Sequence, residues 1–501
     1  MSIPEDTGLP ASASTEALWR QLRARHPRFV YESFSLEPRD DGLRLRFHFR
    51  IEPDIEFAPE MIFERVDWER AKRISRNTLE NLVFHLGLVE MLSYWKAASS
   101  PEIVVRAGKL DAEQTAWWLD LLRHGMGEYF YVNQIDCRAT DFVKIRSLGK
   151  IGSLGFLGSL GEVETEGIAA KVSPRAGRDL VLTSGGKDSV VTLEILREAL
   201  SATGREFDCL MLNPTEAALA VARQAGCASP LVIRRTIDER LLELNRRGYL
   251  NGHTPFSALL AMLGVTVAAL GGYRNVIVAN ERSAEEAGVE YLGEPINHQY
   301  SKTYRYETKF REYCQRYLVP YEKQVLRFAQ DDSEGIEYFS LMRPLYELQI
   351  ARRFAGYPQY FSLFKSCNRG MATNSWCGRC PKCLFVWTAL YPFVEREQAL
   401  GIFGQDLFAG EGAAEVLGAL LGLDEHKPFE CVGTKEETLA AIHLCVEKYR
   451  KEGLELPPAL GGIEESVLSK RTDLPEVARR VLGAWNEEHF VPEELIRRLR
   501  R

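Results

Sequence analysis

The chain reads as an α/β protein: a doubly wound parallel sheet, with an α+β domain before it and a mostly helical region after it. Three observations predict this. From Arg178 onward, short apolar runs alternate with helix-length apolar periodicity, the pattern of strands joined by crossover helices. Residues 28–66 alternate in the period-two manner of strands instead. Beyond residue 400 the pattern is helical. In the alternating part the pattern predicts strands at 179–183, 207–212, 231–235 and 274–279, with helices at 188–203, 215–226 and 255–271 between them. Such a sheet takes its ligands at the carboxyl ends of its strands.

Taken in order, residues 1–24 read as a flexible N-terminus and 25–148 as the α+β domain. There Phe29, Tyr31 and Phe34 form one strand face and Leu43, Leu45, Phe47 and Phe49 the next, with Asp40-Asp41-Gly42 as the turn. A long helix over roughly 70–98 follows, then a strand at Ile103–Val105 and a helix carrying Trp117, Trp118, Leu121 and Leu122 on one face. His85 and Glu90 on the first helix read as packing residues, and the Trp117-Trp118 pair as core or interface. Residues 149–177 begin with glycine at every third position (149, 152, 155, 158, 161) and read as a linker or lid. The nucleotide-binding domain is expected over 178–340, a helical metal-bearing segment over 341–400 and a helical region over 401–501.

Composition is that of an ordinary globular chain, 45% hydrophobic and 27% charged over 501 residues. A net charge of −7 argues against broad nucleic-acid binding, which wants a basic face. MSIPEDTGLPASAS has neither a basic start nor an apolar stretch, so no secretory signal is expected. Pro255 to Tyr273 holds no charge, but its Ala and Gly content and the strand-like Val276-Ile277-Val278 after it favour a buried crossover helix over a membrane span. A cytoplasmic location follows as the expectation. Six of the ten cysteines are scattered and expected to be reduced, several of them buried.

Two motifs carry chemistry. Ser184-Gly185-Gly186-Lys187-Asp188-Ser189 joins a strand to a helix. A glycine turn there aims free N–H groups at one point and adds the helix dipole, which suits a phosphate. Ser184, Ser189 and Lys187 supply hydroxyls and a cation, and Asp188 orients the loop or holds Mg²⁺. The spacing is not that of the Walker loop. The hexapeptide resembles the PP-loop of the ATP pyrophosphatase family, of adenine-nucleotide-α-hydrolase-like fold. That resemblance implies cleavage of ATP between its α- and β-phosphates, transfer of AMP to a substrate oxygen, and release of pyrophosphate.

The second motif is Cys367, then Cys377-x₂-Cys380-x₂-Cys383. Four thiolates on short loops close tetrahedrally on structural Zn²⁺; an iron–sulfur cluster is the competing ligand. A PP-loop followed by this knot is similar to 7-cyano-7-deazaguanine synthases, although this chain is about twice their length.

The blocks VFHLGLVEMLSYWK (83–96), GEYFYVN (127–133), ANERSAEE (279–286), INHQYSKTYRYE (296–307) and LMRPLYELQIARRF (341–354), with the two motifs, resemble the MurL family in order. The resemblance implies an ATP- and Mg²⁺-dependent epimerase of UDP-N-acetylmuramoyl-L-alanyl-L-glutamate, a small anionic carboxylate substrate, in peptidoglycan precursor synthesis. Adenylating the terminal α-carboxylate removes its charge and makes the α-proton acidic enough to exchange. Groups able to exchange protons near neutral pH are His298 and Lys302, with Glu281 at the end of the presumed fourth strand. Arg282, Arg305 and Arg343 are candidate clamps for carboxylate or phosphate. The alternative that keeps the loop is a ligase or synthase of the 7-cyano-7-deazaguanine or tRNA-thiolation type.

Overall fold

A computed structural model describes residues 15–149, 178–201, 204–318, 335–424 and 426–500. The glycine-spaced stretch from 150 to 177, read above as a linker or lid, lies outside the described residues.

Among those residues the chain is mixed α/β around one large, mostly parallel sheet. Its N-terminal strands are β1 (Arg28–Pro38), β2 (Leu43–Ile51), β3 (Ile55–Phe57), β4 (Glu60–Phe63), β5 (Glu102–Val105) and β6 (Lys144–Ser147). The later strands are β7 (Arg178–Leu182), β8 (Glu206–Leu212), β9 (Leu231–Thr236) and β10 (Asn275–Val278), a separate hairpin of β11 (Val289–Tyr291) and β12 (Glu294–Ile296), and β13 (Glu337–Ser340). The order across the sheet is β13-β10-β7-β8-β9-β4-β2-β1-β5-β6. β7, β8, β9, β10 and β13 run parallel, β1, β5 and β6 run parallel, and antiparallel β2 and β4 join the two blocks. Pairing of Phe63 with Ile233 thus draws the N-terminal strands and the strands from β7 onward into a single sheet. An apolar edge at β9 that would otherwise invite a foreign strand is covered by the chain's own.

Strand alternation divides the core into two layers. Leu180, Leu210, Val276 and Val278 face a layer with helices Arg76–Glu90 and Phe256–Gly271. Val181, Cys209, Met211 and Ile277 face one with helices Lys187–Ser201, Glu216–Gln224 and Pro381–Leu390. The charge-free helix is therefore core, and no helix among the described residues is long and apolar enough to cross a membrane. Between β7 and β10 the strand order reverses direction, and the turn after β7 opens at that reversal. A crevice forms at such a reversal because successive crossovers leave to opposite sides.

Two local readings change. The long helix expected over 70–98 is three pieces, Trp68–Ala71, Arg76–Glu90 and Leu92–Trp95. Ser75 starts the middle one by accepting from the Thr78 amide, so a cap interrupts what apolar periodicity alone continues. In β1 a register shift between Tyr31 and Ser33 moves the core-facing set from odd to even positions, which is how Phe34 pairs with Phe47.

Candidate functional site

Thr183 to Gly186 form the turn between β7 and helix Lys187–Ser201. The helix start leaves its first amide N–H groups without intrahelical partners, aimed over the turn. Ser189 Oγ braces the turn from inside: it accepts from the Ser184 amide at 2.9 Å and lies 3.0 Å from Ser184 Oγ. Gly185 is required by packing, since a Cβ there would sit 2.8 Å from Ala217 Cβ and 2.9 Å from the Ala218 amide. Across the turn, the Lys365 amide donates to the Gly185 carbonyl at 2.7 Å, and a Cβ on Gly186 would come 3.0 Å from Ser366 Oγ. The segment just before Cys367 therefore clasps the turn.

Lys187 is buried, 1% exposed, and its ammonium is shared between Asp188 (2.5 Å) and the buried Glu347. Lys382 reaches the same Glu347 at 3.8 Å. Burial lowers the Lys187 pKa, opposed by Asp188. Burial alone would raise the Asp188 carboxyl, but Lys187, Lys382 and Lys302 together hold it below its usual value, so it stands ionised. Asp188 is half-exposed toward the turn, an anion beside a cluster of ammonium groups.

Glu281 follows the end of β10, where its carboxylate is 2% exposed and one oxygen, Oε1, has no hydrogen-bond partner. It acts electrostatically on both Lys187 and Lys302. Lys302 Nζ donates to Gln299 Oε1 at 3.2 Å and to Cys431 Sγ at 3.3 Å. Burial would lower its pKa, but Cys431 and Glu281 outweigh that and raise it above the usual lysine value, so Lys302 is a fixed cation.

His298 is 9% exposed, and neither ring nitrogen meets hydrogen-bonding geometry with a described group. Its ring lies 6.2 Å from that of His253 and 5.7 Å from Phe429. Burial, then the nearby His253, Lys302 and Lys427, depress its pKa to about 3. His253 is likewise held down to about 4, by burial first. Glu128, within 4.0 Å of His253, is pushed up to about 7 by burial and by Glu430. A half-buried chamber thus gathers a neutral imidazole with two open nitrogens, a carboxyl near its midpoint and a lysine–thiol pair. An unpaired buried donor or acceptor costs stability, so such a set is expected where a ligand completes it.

Cys367, Cys377, Cys380 and Cys383 bring their sulfurs within 4.8 Å of one another. Two of the separations are 3.9 Å (Cys367–Cys380) and 3.8 Å (Cys377–Cys383). Bonds of about 2.3 Å from one central zinc would set tetrahedral sulfurs about 3.8 Å apart. The cluster is compatible with a structural zinc. Gly378, with φ +72°, turns the knuckle between Cys377 and Cys380. The amides of Gly370 (3.2 Å) and Cys377 (3.4 Å) donate to Cys367 Sγ, and the Cys383 amide (3.4 Å) to Cys380 Sγ, as thiolate sulfurs require.

Of the residues singled out from the sequence, Lys187, Asp188, Glu281, Lys302 and His298 converge around the turn and the chamber. Arg343 joins them differently. Fully buried, its guanidinium donates to the carbonyls of Glu281 (2.8 Å) and Lys302 and to Glu285 (3.0 Å), tying the site's segments together. Arg282 lies over the Tyr346 ring at 4.4 Å. Arg305 is exposed and paired with Asp120 at 3.2 Å, on the helix Ala112–Gly125. Sequence reasoning missed Glu347, His253, Glu128 and Cys431. Glu128 lay inside a block already marked, whereas Cys431 gave no signal, its lysine partner being 129 residues away.

Comparison with known proteins follows this geometry. Residues 20–324 match the family model described as the MurL N-terminal domain, and residues 363–459 match the MurL C-terminal domain. Over 426 residues the chain is 33% identical to the UDP-N-acetyl-alpha-D-muramoyl-L-alanyl-L-glutamate epimerase of Xanthomonas oryzae pv. oryzae, covering 83% of this chain and 84% of that protein. The epimerase of the same name from a Micromonospora species is 35% identical over 383 residues, 74% of this chain and 76% of that one. No solved structure matches.

Proposed function

This chain belongs to the MurL family, and from that premise we propose that it is an ATP-dependent epimerase that inverts the terminal L-glutamate of UDP-N-acetylmuramoyl-L-alanyl-L-glutamate. The observation that carries the chemical half of this reading is the juxtaposition of an anion-cradling turn with a chamber of unpaired acid–base groups.

In this reading the turn after β7, of the PP-loop type within a doubly wound sheet, receives the ATP phosphates on the amides that open helix Lys187–Ser201. Asp188, ionised and half-exposed, holds the Mg²⁺ that accompanies them. Mg²⁺ offsets phosphate charge when bound. Lys187 and Lys382, fixed by Glu347, present the positive potential that favours pyrophosphate departure. The four cysteines hold a zinc whose part is structural: it fixes the segment that clasps Gly185.

Adenylation of the α-carboxylate removes its charge and makes the glutamyl α-proton far easier for a side chain to remove near neutral pH. The chamber is the proposed place of that exchange. Lys302, held charged, stabilises the negative charge that builds on the activated carbonyl. His298, neutral at all working pH values and so not the proton exchanger its residue type led one to expect, hydrogen-bonds the substrate through its ring nitrogens. Arg282 is the clamp best placed to reach an anionic substrate group, because Arg343 and Arg305 are already committed to protein partners.

The test is a single incubation of the protein with the UDP-muramoyl dipeptide, ATP and Mg²⁺ in D₂O. The expected outcome is one deuterium at the glutamyl α-carbon, D-glutamate on hydrolysis, and AMP with pyrophosphate. Epimerisation without AMP would remove the adenylation step, and absence of both would remove the assignment.

A further inference from the structure

Resting on the epimerase reading, we propose that the Cys431 side chain, held by the Lys302 ammonium 3.3 Å from its sulfur, is a proton carrier at the glutamyl α-carbon.

Cys431 differs from the chain's core cysteines. Cys209, Cys227, Cys314 and Cys445 are buried, whereas Cys431 is half-exposed and faces a cation. An adjacent ammonium favours the thiolate, which is both the base and the nucleophile of a cysteine. Its backbone is fixed as well, because Lys382 donates to the Cys431 carbonyl. That bond ties the residue to the same Lys382–Glu347–Lys187 chain that reaches the nucleotide turn. Charged groups about it are Lys302 at the sulfur, Lys382 at the backbone carbonyl and Glu430 next in the chain, with the carboxylates of Glu281 and Asp188 acting on Lys302 in turn.

Two independent observations say that a ligand belongs beside it. Glu281 Oε1 is buried, unpartnered, and acts electrostatically on the lysine that holds the thiol. His298 is buried, meets full hydrogen-bonding geometry with no described group although the Glu430 backbone lies at its ring, and packs on Phe429, two residues before Cys431. Lys302 also acts on Asp188, so one lysine stands between the thiol and the turn that would carry the activating nucleotide.

In the proposed step the Cα–H bond breaks, its electron pair moves into the activated carbonyl, and an S–H bond forms on Cys431. Reprotonation of the carbon from the opposite face, by a protonated side chain or water, restores its four bonds with inverted configuration. The thiol then returns its proton to solvent. No oxidant or reductant is consumed.

The experiment compares full-length wild type, Cys431→Ala and Lys302→Met. For Cys431→Ala, epimerisation should fall by at least ~100-fold, the scale of a lost acid–base group, while dipeptide-dependent AMP release stays within about threefold. Epimerisation within about threefold of wild type, or parallel loss of AMP release, would overturn the proposal. The second readout needs no turnover: alkylation of Cys431 by iodoacetamide at pH 7, followed on its peptide by mass spectrometry. Lys302→Met should slow it about tenfold, and an unchanged rate would refute the role of the lysine beside the sulfur. If wild type itself neither epimerises nor forms AMP, the epimerase reading fails instead.

Discussion

Two buried histidines divide the molecule. His85, in the helix Arg76–Glu90 against the N-terminal strands, donates from Nδ1 to the Asn81 carbonyl at 2.8 Å and accepts at Nε2 from the Tyr313 hydroxyl at 3.0 Å. Trp118 Nε1 in turn donates to that hydroxyl at 3.0 Å. His298 is buried almost as deeply with neither nitrogen paired. Burial depresses both, His85 to about 4 and His298 to about 3, so the difference lies in satisfaction rather than in desolvation. Closed polar clusters specify a packing arrangement; open ones hold a place for something else.

The sharpest way to break this comparison lies beside His298, at the turn. Asp188→Asn should lower ATP-to-AMP turnover by about a thousandfold, as loss of a metal-holding carboxylate does, while the melting temperature moves little. A variant that unfolds would show the turn to be structural in the sense that His85 is. Next in size, His298→Leu should cost about a hundredfold in epimerisation yet leave stability unchanged or slightly higher, because it removes an unpaired polar group. His85→Leu should do the reverse, losing about 2 kcal/mol in denaturant unfolding while activity per folded molecule persists. Equal effects of both on stability would erase the distinction.

The smallest effect is on pH dependence. Both histidines have folded pKa values below the unfolded value near 6.5, so the unfolded chain takes up protons first as pH falls. Stability is therefore unaffected above that value and declines from about pH 6.5 toward pH 4, by at most about 1.4 kcal/mol per pH unit for each histidine. Thermal melts across that range should show a shallower decline in His85→Leu. A decline of unchanged slope would mean that His85 is not held neutral.

Local structure was legible from the sequence and distant contacts were not. Ser184 to Ser189 could be read because strand, turn and helix are consecutive. Cys377, Cys380 and Cys383 could be read because a metal knuckle has a fixed short spacing, and the sulfurs do converge. Strands β7 to β10 emerged within a residue or two, since a buried parallel strand is a contiguous apolar run. β13 was not foreseen: four residues, Glu337–Ser340, carry too little pattern until β10 pairs with them. Arg343 illustrates the limit for side chains. A guanidinium suggests an anion clamp by its capacity for bidentate pairing, yet its hydrogen bonds to the Glu281 and Lys302 carbonyls arise only from tertiary contact. Glu347 was passed over for the same reason, its partner Lys187 lying 160 residues earlier.

That separation also bears on the order in which the protein is made. The turn after β7 leaves the ribosome long before the residues that complete it, Glu347 under Lys187 and Lys365 on the Gly185 carbonyl. At about 5–20 residues per second, some ten to thirty seconds of synthesis separate the two. During that interval the Lys187 ammonium has no buried counter-ion, so the turn stays solvated and open. The turn is thus a late product of translation, finished only when the cysteine segment has emerged and can close on it.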